Sequence, residues 1–369
     1  MNYVVHKRTR LCIAMCLALI PFAAQAADSP APKSSKAAMT KTGTKYKADA
    51  DMQSVLDALA SLNGKPIETL EPAEARKQPT PTDAVMAVLK QQGKDTSPTA
   101  LVPGVSSVDS TIPGPGGSLP VRIYTPAGAG PFPVIVYYHG GGWVLADKNV
   151  YDGGARGLSK EANAVVVSVD YRLAPESKFP AQHDDAVATY KWAAQNAASI
   201  KGDPTRLALA GESAGGNLAL ATAIAARDQN LTKPMHVLAV YPIAQATNLS
   251  TPSYIDSAQA KPLNKPMMEW FAKHVLGNPN DKNDPRIDLI HANLKGLPPV
   301  TLISARIDPL RSDADMLEAS LRKAGGKVTH KTYEGVTHEF FGMAAVVAKA
   351  KEAQHLAGAE LKRSLVAGH

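Results

Sequence analysis

The sequence predicts an α/β protein in which a mostly parallel central sheet is flanked by helices. Segments typical of strands and of helices alternate from about residue 105 onward, and this alternation is typical of parallel sheets covered by helices on both faces. One segment, at 134–138, is a continuous apolar run, as expected for a strand buried on both faces. The 369 residues are enough for a large core and a small additional cap.

The predicted elements follow one another in a regular order. The first two strands form a hairpin around the Gly-Pro-Gly-Gly turn at 114–117, because glycine and proline favour tight turns. A polar insertion at 243–297 interrupts the alternation and carries one helix. Strands are expected at 105–112, 119–124, 134–138, 164–169, 207–210, 237–241, 300–304 and 328–333, and helices at 154–162, 184–198, 214–227, 265–276, 311–324 and from 343 onward.

Residues 1–26 are typical of a secretory signal peptide. Three basic residues among the first ten precede an apolar stretch at 11–24, and an Ala-Gln-Ala cleavage site occupies 24–26. We expect an exported protein, periplasmic or secreted, with no stable membrane anchor after cleavage. The alternatives are a retained anchor and a lipoprotein modified at Cys16. The apolar stretch is shorter than the about 20 residues of a spanning helix, and a bulky methionine precedes Cys16.

Two segments separate the signal peptide from the α/β domain. Residues 27–48 are rich in Ala, Ser, Pro, Lys and Thr and predict a flexible leader. Residues 49–103 predict an arm of helices. Apolar residues recur at helical spacing in 50–62, and a second helix is expected at 82–92, with Pro81 near its first turn.

Cysteine content and charge exclude several classes of function. Both cysteines lie in the predicted signal peptide, so the mature chain would have no disulfide, no thiol nucleophile and no cysteine-ligated metal. The formal net charge of +7 falls by three, to +4, when the basic residues of that segment are removed. This modest excess favours solubility, and no nucleic-acid-binding motif accompanies it. We therefore expect no nucleic-acid partner.

The central functional motif is Gly-Glu-Ser-Ala-Gly at 211–215, between a predicted strand and a predicted helix. In this context G-x-S-x-G forms a sharp turn that exposes the serine hydroxyl, and the turn requires small neighbouring residues. The amino terminus of the following helix adds positive potential for a developing oxyanion. The motif predicts Ser213 as a nucleophile. The alternative, a glycine-rich turn without a catalytic role, is disfavoured by the flanking strand and helix.

A second glycine-rich motif, His-Gly-Gly-Gly-Trp at 139–143, follows the buried strand. Consecutive glycines allow the backbone to approach a ligand and to point N–H groups at it. We expect the N–H groups of Gly141, Gly142 and Ala214 to form an oxyanion hole. A phosphate-binding loop is the alternative, but no Lys-Ser or Lys-Thr pair follows the glycines. His139 is expected to brace the loop.

The acid and the base are expected after the serine, because proteins with this motif order their triad serine, acid, histidine. His338 follows the strand predicted at 328–333, and Asp308 follows the strand before it. Both positions lie beyond the carboxyl ends of strands, where α/β sheets place their chemistry. His338 is therefore the predicted base and Asp308 the predicted acid. Asp313 is the alternative acid, but we expect it to face solvent or to cap its helix.

Taken together, five ordered motifs resemble the hormone-sensitive-lipase-like family of bacterial esterases and lipases. They are HGGGW at 139–143, DYRLAPE at 170–176, GESAGG at 211–216, DPLRSD at 308–313 and THEFF at 337–341. The resemblance implies an α/β-hydrolase fold at 104–369, with a small helical cap formed by the arm at 49–103 and an insertion at about 245–290. It assigns the triad and the oxyanion hole to the same residues. Glu212 and Glu339 depart from the residues usual in the family.

We expect a serine carboxylesterase that hydrolyses short- to medium-chain esters through an acyl-enzyme intermediate. The alternatives are a peptidase or amidase of the same fold and a non-catalytic ligand-binding protein on this scaffold. The expected partner is a small-molecule ester, and a homodimer stays open. No cofactor is expected. No metal is expected either, since a zinc site at His338-Glu339 would need a second histidine at position 342, which is glycine.

Overall fold

The computed structural model describes residues 44–366. Within this part the strands are β1 (Val105–Gly114), β2 (Gly117–Pro126), β3 (Phe132–Tyr138), β4 (Val165–Val169), β5 (Gly202–Glu212), β6 (Val237–Val240), β7 (Val300–Ile307) and β8 (Val328–Thr337). They form one sheet in the order β1-β2-β4-β3-β5-β6-β7-β8. The predicted signal peptide at 1–26 and most of the predicted leader at 27–48 lie outside the described residues.

Helices occur before the sheet, between its strands and after it. They are α1 (Ala50–Ser61), α2 (Pro72–Ala75), α3 (Pro81–Gln91), α4 (Pro98–Leu101), α5 (Asp152–Ala162), α6 (Ala181–Asn196), α7 (Ala214–Asp228), α8 (Pro252–Asp256), α9 (Lys265–Val275), α10 (Arg311–Lys323) and α11 (Ala348–Leu365). Short 3-10 helices lie at Ile67–Thr69, Ala197–Ile200, Asp281–Asn283 and Phe340–Met343.

The sheet is mostly parallel, as predicted. The hairpin β1–β2 and the pair β2–β4 are antiparallel, and every other pair of neighbours is parallel. In β3, Val134 and Val136 face one core while Ile135 and Tyr137 face the other, and all four are fully buried. A strand buried on both faces has no solvent side for polar residues, which explains the continuous apolar run.

Helices cover both faces of the sheet and bury one core on each. On one face Leu209 of β5 belongs to the core formed with α6 and α7. On the other face its neighbour Ala208 belongs to the core formed with α5 and α11. Because successive side chains of a strand point to opposite faces, each central strand contributes to both cores. This architecture holds the carboxyl ends of the parallel strands at one edge.

The last strand is longer than predicted. Strand β8 continues to Thr337 instead of ending at residue 333. Gly335 has a φ of 68°, and the register with β7 shifts before Ile307 pairs with Thr337. A glycine with a positive φ is typical of such an irregularity. In the sequence a glycine also indicates the end of a strand, so the prediction stopped before Gly335. The final helix begins at Ala348 instead of the predicted residue 343, because the 3-10 helix Phe340–Met343 precedes it.

The arm forms the two helices expected from its sequence. Helix α1 buries Met52 and Val55 on the face that packs against the body. Helix α3 begins with Pro81 and a reciprocal cap, in which the Thr80 hydroxyl accepts from the Asp83 N–H and the Asp83 carboxylate accepts from the Thr80 N–H. Such a capping box satisfies N–H groups that lack partners within the helix.

Packing on the body begins within the segment predicted to be a flexible leader. The Tyr46 hydroxyl donates to the Asp256 carboxylate at 3.0 Å, and Ala48 is buried in the core. Residues from 44 onward therefore contact the packed structure. Composition missed this because the anchoring contact joins residues 210 positions apart.

Candidate active site

The turn between β5 and α7 has the strain expected of a nucleophile elbow. Ser213 has a φ of 56° and a ψ of −116°, a backbone conformation that residues with a side chain rarely adopt. A Cβ on Gly211 would lie 2.1 Å from the Gly215 carbonyl oxygen, and a Cβ on Gly215 would lie 1.9 Å from the Tyr138 carbonyl oxygen. The predicted need for glycine at both positions is therefore a steric one.

The structure brings the three predicted triad residues together. The Nε2 atom of His338 lies 3.0 Å from the Ser213 Oγ, and its Nδ1 atom lies 2.7 Å from the Asp308 Oδ2. Each residue follows the carboxyl end of a parallel strand: β5, β7 or β8. Because these ends meet at one edge of the sheet, residues up to 125 positions apart become neighbours. All three side chains are buried.

Asp308 is held so that it can orient the histidine. Its Oδ1 accepts from the Leu310 N–H at 2.8 Å, which leaves Oδ2 for the His338 Nδ1. A proton on Nδ1 leaves Nε2 free to accept from the Ser213 hydroxyl. Burial lowers the pKa of the His338 imidazole, but the carboxylates around it, Asp308 foremost, outweigh burial and hold that pKa above its usual value.

Asp313 does not face solvent, and that part of the prediction is wrong. It is fully buried, and its carboxylate accepts from the Ala244 N–H at 3.3 Å and from the Gln245 side-chain amide at 3.1 Å. Burial raises the pKa of Asp313 to about 7. The chain after β6 folds over the first turn of α10, a contact that helical periodicity does not reveal. Asp313 therefore binds the start of the insertion, and Asp308 contacts His338.

The oxyanion loop adopts the conformation for which glycine is suited. Gly141 and Gly142 have φ values of 93° and 60°. A Cβ on Gly141 would lie 2.2 Å from the Leu145 carbonyl oxygen, and one on Gly142 would lie 2.3 Å from the Phe271 ring. Among the described residues, no backbone acceptor binds the N–H of Gly141, Gly142 or Ala214. These three predicted donors are therefore available to a ligand.

The loop is braced by Tyr171, a residue that no feature of the sequence singles out. The Tyr171 ring stacks on the His139 imidazole, and its hydroxyl donates to the His139 carbonyl oxygen at 2.8 Å. In the same DYRLAPE segment the Ala174 N–H donates to the Trp143 carbonyl oxygen at 2.9 Å, whereas the charged residues bind partners outside 139–143. Asp170 accepts from Lys148, Arg172 pairs with Asp185 and Glu176 pairs with Arg76. In the sequence the DYRLAPE segment is only one motif of the family resemblance, and the folded chain identifies Tyr171 and Ala174 as residues that contact the loop.

Two glutamates next to the triad belong to a second group of polar residues, in which Glu212 is buried and Glu339 is half-buried. Glu212 accepts from the hydroxyls of Tyr137 and Tyr241, and burial raises the pKa of Glu212 to about 8. Glu339 accepts from the Tyr151 hydroxyl at 2.6 Å. The sequence marked both glutamates as departures from the family pattern, but it did not show that both side chains turn inward.

A cavity of about 810 Å³ reaches this polar group from the surface. Its walls come from α3, α4, the β1–β2 hairpin, α5 and the chain at 342–345. Its lining includes Tyr151, Glu212 and Glu339 but neither Ser213 nor His338. The cavity therefore approaches the triad from the side of the two glutamates.

The described part of the chain contains neither a membrane-spanning helix nor a cluster of metal-binding side chains. Between residues 44 and 366, no helix has the length and apolar character needed to cross a membrane. In the same residues, no cluster of three or more metal-binding side chains could hold a metal ion.

Comparisons of the sequence identify relatives over most of the chain. Residues 135–342 match a family model described as the alpha/beta hydrolase fold. A carboxylesterase, NlhH, of Mycobacterium tuberculosis is 36% identical over 292 residues, which are 78% of this chain and 91% of that protein. An ethyl acetate hydrolase of Pseudomonas putida is 32% identical over 297 residues, which are 78% of this chain and 88% of that protein.

Solved structures of similar proteins have the same fold. A thermostable esterase from Pseudomonas putida superposes with a TM-score of 0.77 at 31% identity and covers 87% of this chain and 99% of its own. An esterase from Pyrobaculum calidifontis superposes with a TM-score of 0.74 at 33% identity and covers 84% of this chain and 98% of its own. The likeness therefore includes both the sheet and the segments around the site.

Proposed function

This chain belongs to the hormone-sensitive-lipase-like family of α/β-hydrolases, and from that premise we propose that it is a serine carboxylesterase. The observation that carries the proposal is the pair of hydrogen bonds that joins Asp308 to His338 and His338 to Ser213. A hydroxyl is a weak nucleophile by itself, and a base oriented by a carboxylate is the usual means of activating it. The esterase relatives support an ester as the substrate.

In the first step Ser213 attacks the carbonyl carbon of the ester. His338 accepts the hydroxyl proton through Nε2, and the imidazolium that forms is stabilised by Asp308. The carbonyl oxygen becomes an oxyanion and accepts hydrogen bonds from the N–H groups of Gly141, Gly142 and Ala214. Loss of one such donor typically costs about 2.7–4 kcal/mol of transition-state stabilisation. The amino terminus of α7 adds a favourable dipole.

The tetrahedral intermediate then collapses to an acyl-enzyme. The alcohol leaves with a proton from His338, and the acyl group stays on the Ser213 oxygen. A water molecule enters, His338 removes its proton, and the resulting hydroxide attacks the acyl carbon. Collapse of the second intermediate releases the carboxylic acid and returns the proton to Ser213. Neither step requires a metal or a cofactor.

We assign short to medium acyl chains to the site because the arm at 49–103 and the insertion at about 245–290 cover it as a cap. The two segments contact each other: the Trp270 indole N–H donates to the Leu70 carbonyl oxygen at 2.9 Å. The neighbouring Phe271 lies against Gly142 of the oxyanion loop. A covered, concave site restricts the length of a bound chain more than an open surface does.

We further propose that the protein is exported and that residues 1–26 are removed. The support is the basic start, the apolar stretch and the Ala-Gln-Ala site at 24–26. Expression of the full chain followed by cell fractionation and amino-terminal sequencing tests this. The expected mature protein begins at Ala27 and is found in the periplasm or the medium. Uncleaved enzyme in the cytoplasm would contradict export.

The hydrolase assignment is tested with p-nitrophenyl esters of increasing acyl length. Wild type is expected to hydrolyse the short and medium esters, and Ser213→Ala is expected to have no activity above background. The matched control is Ser199→Ala, since Ser199 is an exposed serine outside the site. A wild type inactive on every ester, or undiminished hydrolysis by Ser213→Ala, would overturn the assignment. A chromogenic peptide cleaved faster than any ester would indicate an amidase instead.

A further inference from the structure

Residue 339, directly after the predicted base, is a glutamate held in a backbone conformation that favours glycine. Its φ is 70° and its ψ is 0°. Residues with a Cβ are uncommon in this left-handed region and usually occur there only when the surroundings enforce it. Neighbouring contacts therefore hold a carboxylate at a position where glycine would fit with less strain.

The Glu339 carboxylate lies beside the reacting nitrogen of the base. Its Oε1 is 3.8 Å from the His338 Nε2, the atom that lies 3.0 Å from the Ser213 Oγ. The same Oε1 accepts from the Tyr151 hydroxyl at 2.6 Å, which fixes its direction. Asp308 binds the opposite nitrogen, Nδ1, at 2.7 Å. The imidazole is thus flanked by two carboxylates, one on each nitrogen.

We propose that Glu339 is a positioning residue that acts through His338, where its carboxylate stabilises the imidazolium formed when Ser213 attacks. The proposal rests on the serine esterase function proposed above. Charge moves onto His338 during both attacks, and a fixed negative charge close to Nε2 favours that state over neutral imidazole. Tyr151 contributes by holding the carboxylate near the nitrogen without neutralising it.

Among the titratable groups around Glu339, His338 is the one that can pair with its negative charge. The titratable groups that interact with Glu339 come from several strands, from their ends and from the start of α5. His338 is the member of the set that becomes a cation when it gains a proton. The set is His338, Asp308, Glu212, Tyr137, Tyr151, Tyr171 and Tyr241. Burial raises the pKa of Glu339, while the charge of His338 and the hydrogen bond from Tyr151 oppose that rise.

Loss of the Glu339 charge is expected to change the pH profile of the enzyme in a defined direction. The negative charge of Glu339 raises the pKa of His338, and the base must be neutral to accept the serine proton. Glu339→Gln therefore lowers the pKa of His338 and moves the acidic limb of kcat/KM to lower pH. In water a charge at this distance would move the limb by about 0.8 pH unit, and because this pair is screened less than in water the expected movement is about 1 pH unit or more. On the plateau at higher pH the rate falls severalfold, because the imidazolium is less stabilised.

The test is the pH dependence of kcat/KM for a short p-nitrophenyl ester, measured for wild type, Glu339→Gln and Glu339→Gly. Both variants are expected to show the displaced limb and the lower plateau. Glu339→Gly also removes the backbone strain at residue 339, so it is expected to unfold at a higher temperature than Glu339→Gln. It therefore provides the same test if Glu339→Gln folds poorly. The matched control is Glu334→Gln, which changes an exposed carboxylate of β8 paired with Arg306. Its profile should overlay that of wild type.

A second readout observes His338 directly. The Nδ1 proton shared with Asp308 gives a low-field NMR signal whose titration reports the pKa of the imidazole, and that pKa should be lower in Glu339→Gln. A uniform loss of rate at all pH values with an unmoved limb and an unmoved NMR pKa would reduce Glu339 to a structural role and overturn the proposal.

The two proposals fail in distinguishable ways. An inactive wild type, or an active Ser213→Ala, would remove the esterase function and this inference with it. An active wild type, an inactive Ser213→Ala and an unmoved limb in both Glu339 variants would overturn the role of Glu339 alone.

Discussion

The ring of Tyr171 stacks on the imidazole of His139, with 4.3 Å between the ring centroids and 11° between the planes. The Tyr171 hydroxyl also donates to the His139 carbonyl oxygen at 2.8 Å. His139 opens the loop that carries Gly141 and Gly142, so the stack and the hydrogen bond set the direction of the two predicted oxyanion donors. Donor placement contributes strongly to this kind of catalysis.

Tyr171→Phe is expected to lower kcat about tenfold or more with little change in KM, because the loop donors lose their alignment. It also leaves a buried carbonyl without a partner, which costs about 1–3 kcal/mol of stability. The matched control is Tyr190→Phe, which removes a hydroxyl bond to the Thr232 carbonyl oxygen far from the site. The control should lose stability and keep kcat. Equal kcat losses in both variants would show that stability, not loop alignment, explains the effect.

Asp308→Asn is expected to leave the fold intact and to lower kcat by about 10⁴-fold. An asparagine favours the wrong tautomer of His338, so Nε2 no longer accepts the Ser213 proton. Circular dichroism and thermal unfolding check the fold, and initial rates on a short ester measure kcat. Asp315→Asn serves as the control, because Asp315 is an exposed carboxylate paired with Arg311. Retention of a tenth or more of the wild-type kcat by Asp308→Asn would contradict the assigned acid.

Gly142→Ala is expected to abolish esterase activity and to destabilise the protein. The new methyl group would meet the Phe271 ring at 2.3 Å, and alanine is strained at a φ of 60°. The variant Gly93→Ala has a similar φ of 67° and no atom within 4 Å of the new Cβ, so it isolates the backbone strain. Adding Phe271→Ala to Gly142→Ala should recover part of the stability but not the activity. Full activity of Gly142→Ala would exclude this glycine from the oxyanion hole.

Asp313 is expected to make the stability of the protein depend on pH between about 4 and 7. Burial raises the pKa of Asp313 to about 7 in the folded state, so folded protein binds a proton that unfolded chain has already lost. This contribution is complete below the unfolded pKa of about 3.9 and disappears as pH rises through the folded value.

Asp313→Asn removes that contribution. The difference in unfolding free energy between wild type and Asp313→Asn should therefore change in favour of the variant as pH rises from 5 to 8, by up to a few kcal/mol. Urea unfolding at four pH values in this interval measures it, with Asp315→Asn as the exposed control. A difference that is constant with pH would show that Asp313 stays ionised when buried.

Local chemistry made much of the fold and of the site predictable from the sequence. A sharp turn at Ser213 needs small neighbours at fixed spacings, and a loop that points N–H groups at a ligand needs consecutive glycines such as Gly141 and Gly142. A strand buried on both faces needs an uninterrupted apolar run. Each requirement is met by residues adjacent in the chain, so each could be recognised before the strands were assembled.

Tertiary structure alone decided which distant side chains surround that site. It buried Asp313 against Ala244, placed Tyr171 under the oxyanion loop and joined Glu339 to the Tyr151 hydroxyl. The physical reason is that these contacts join different strand ends, whose distances are set by the packing of the whole sheet. Hydrophobic periodicity and short motifs reflect the requirements of a single helix, strand or turn. They do not indicate which loops of the folded chain contact one another.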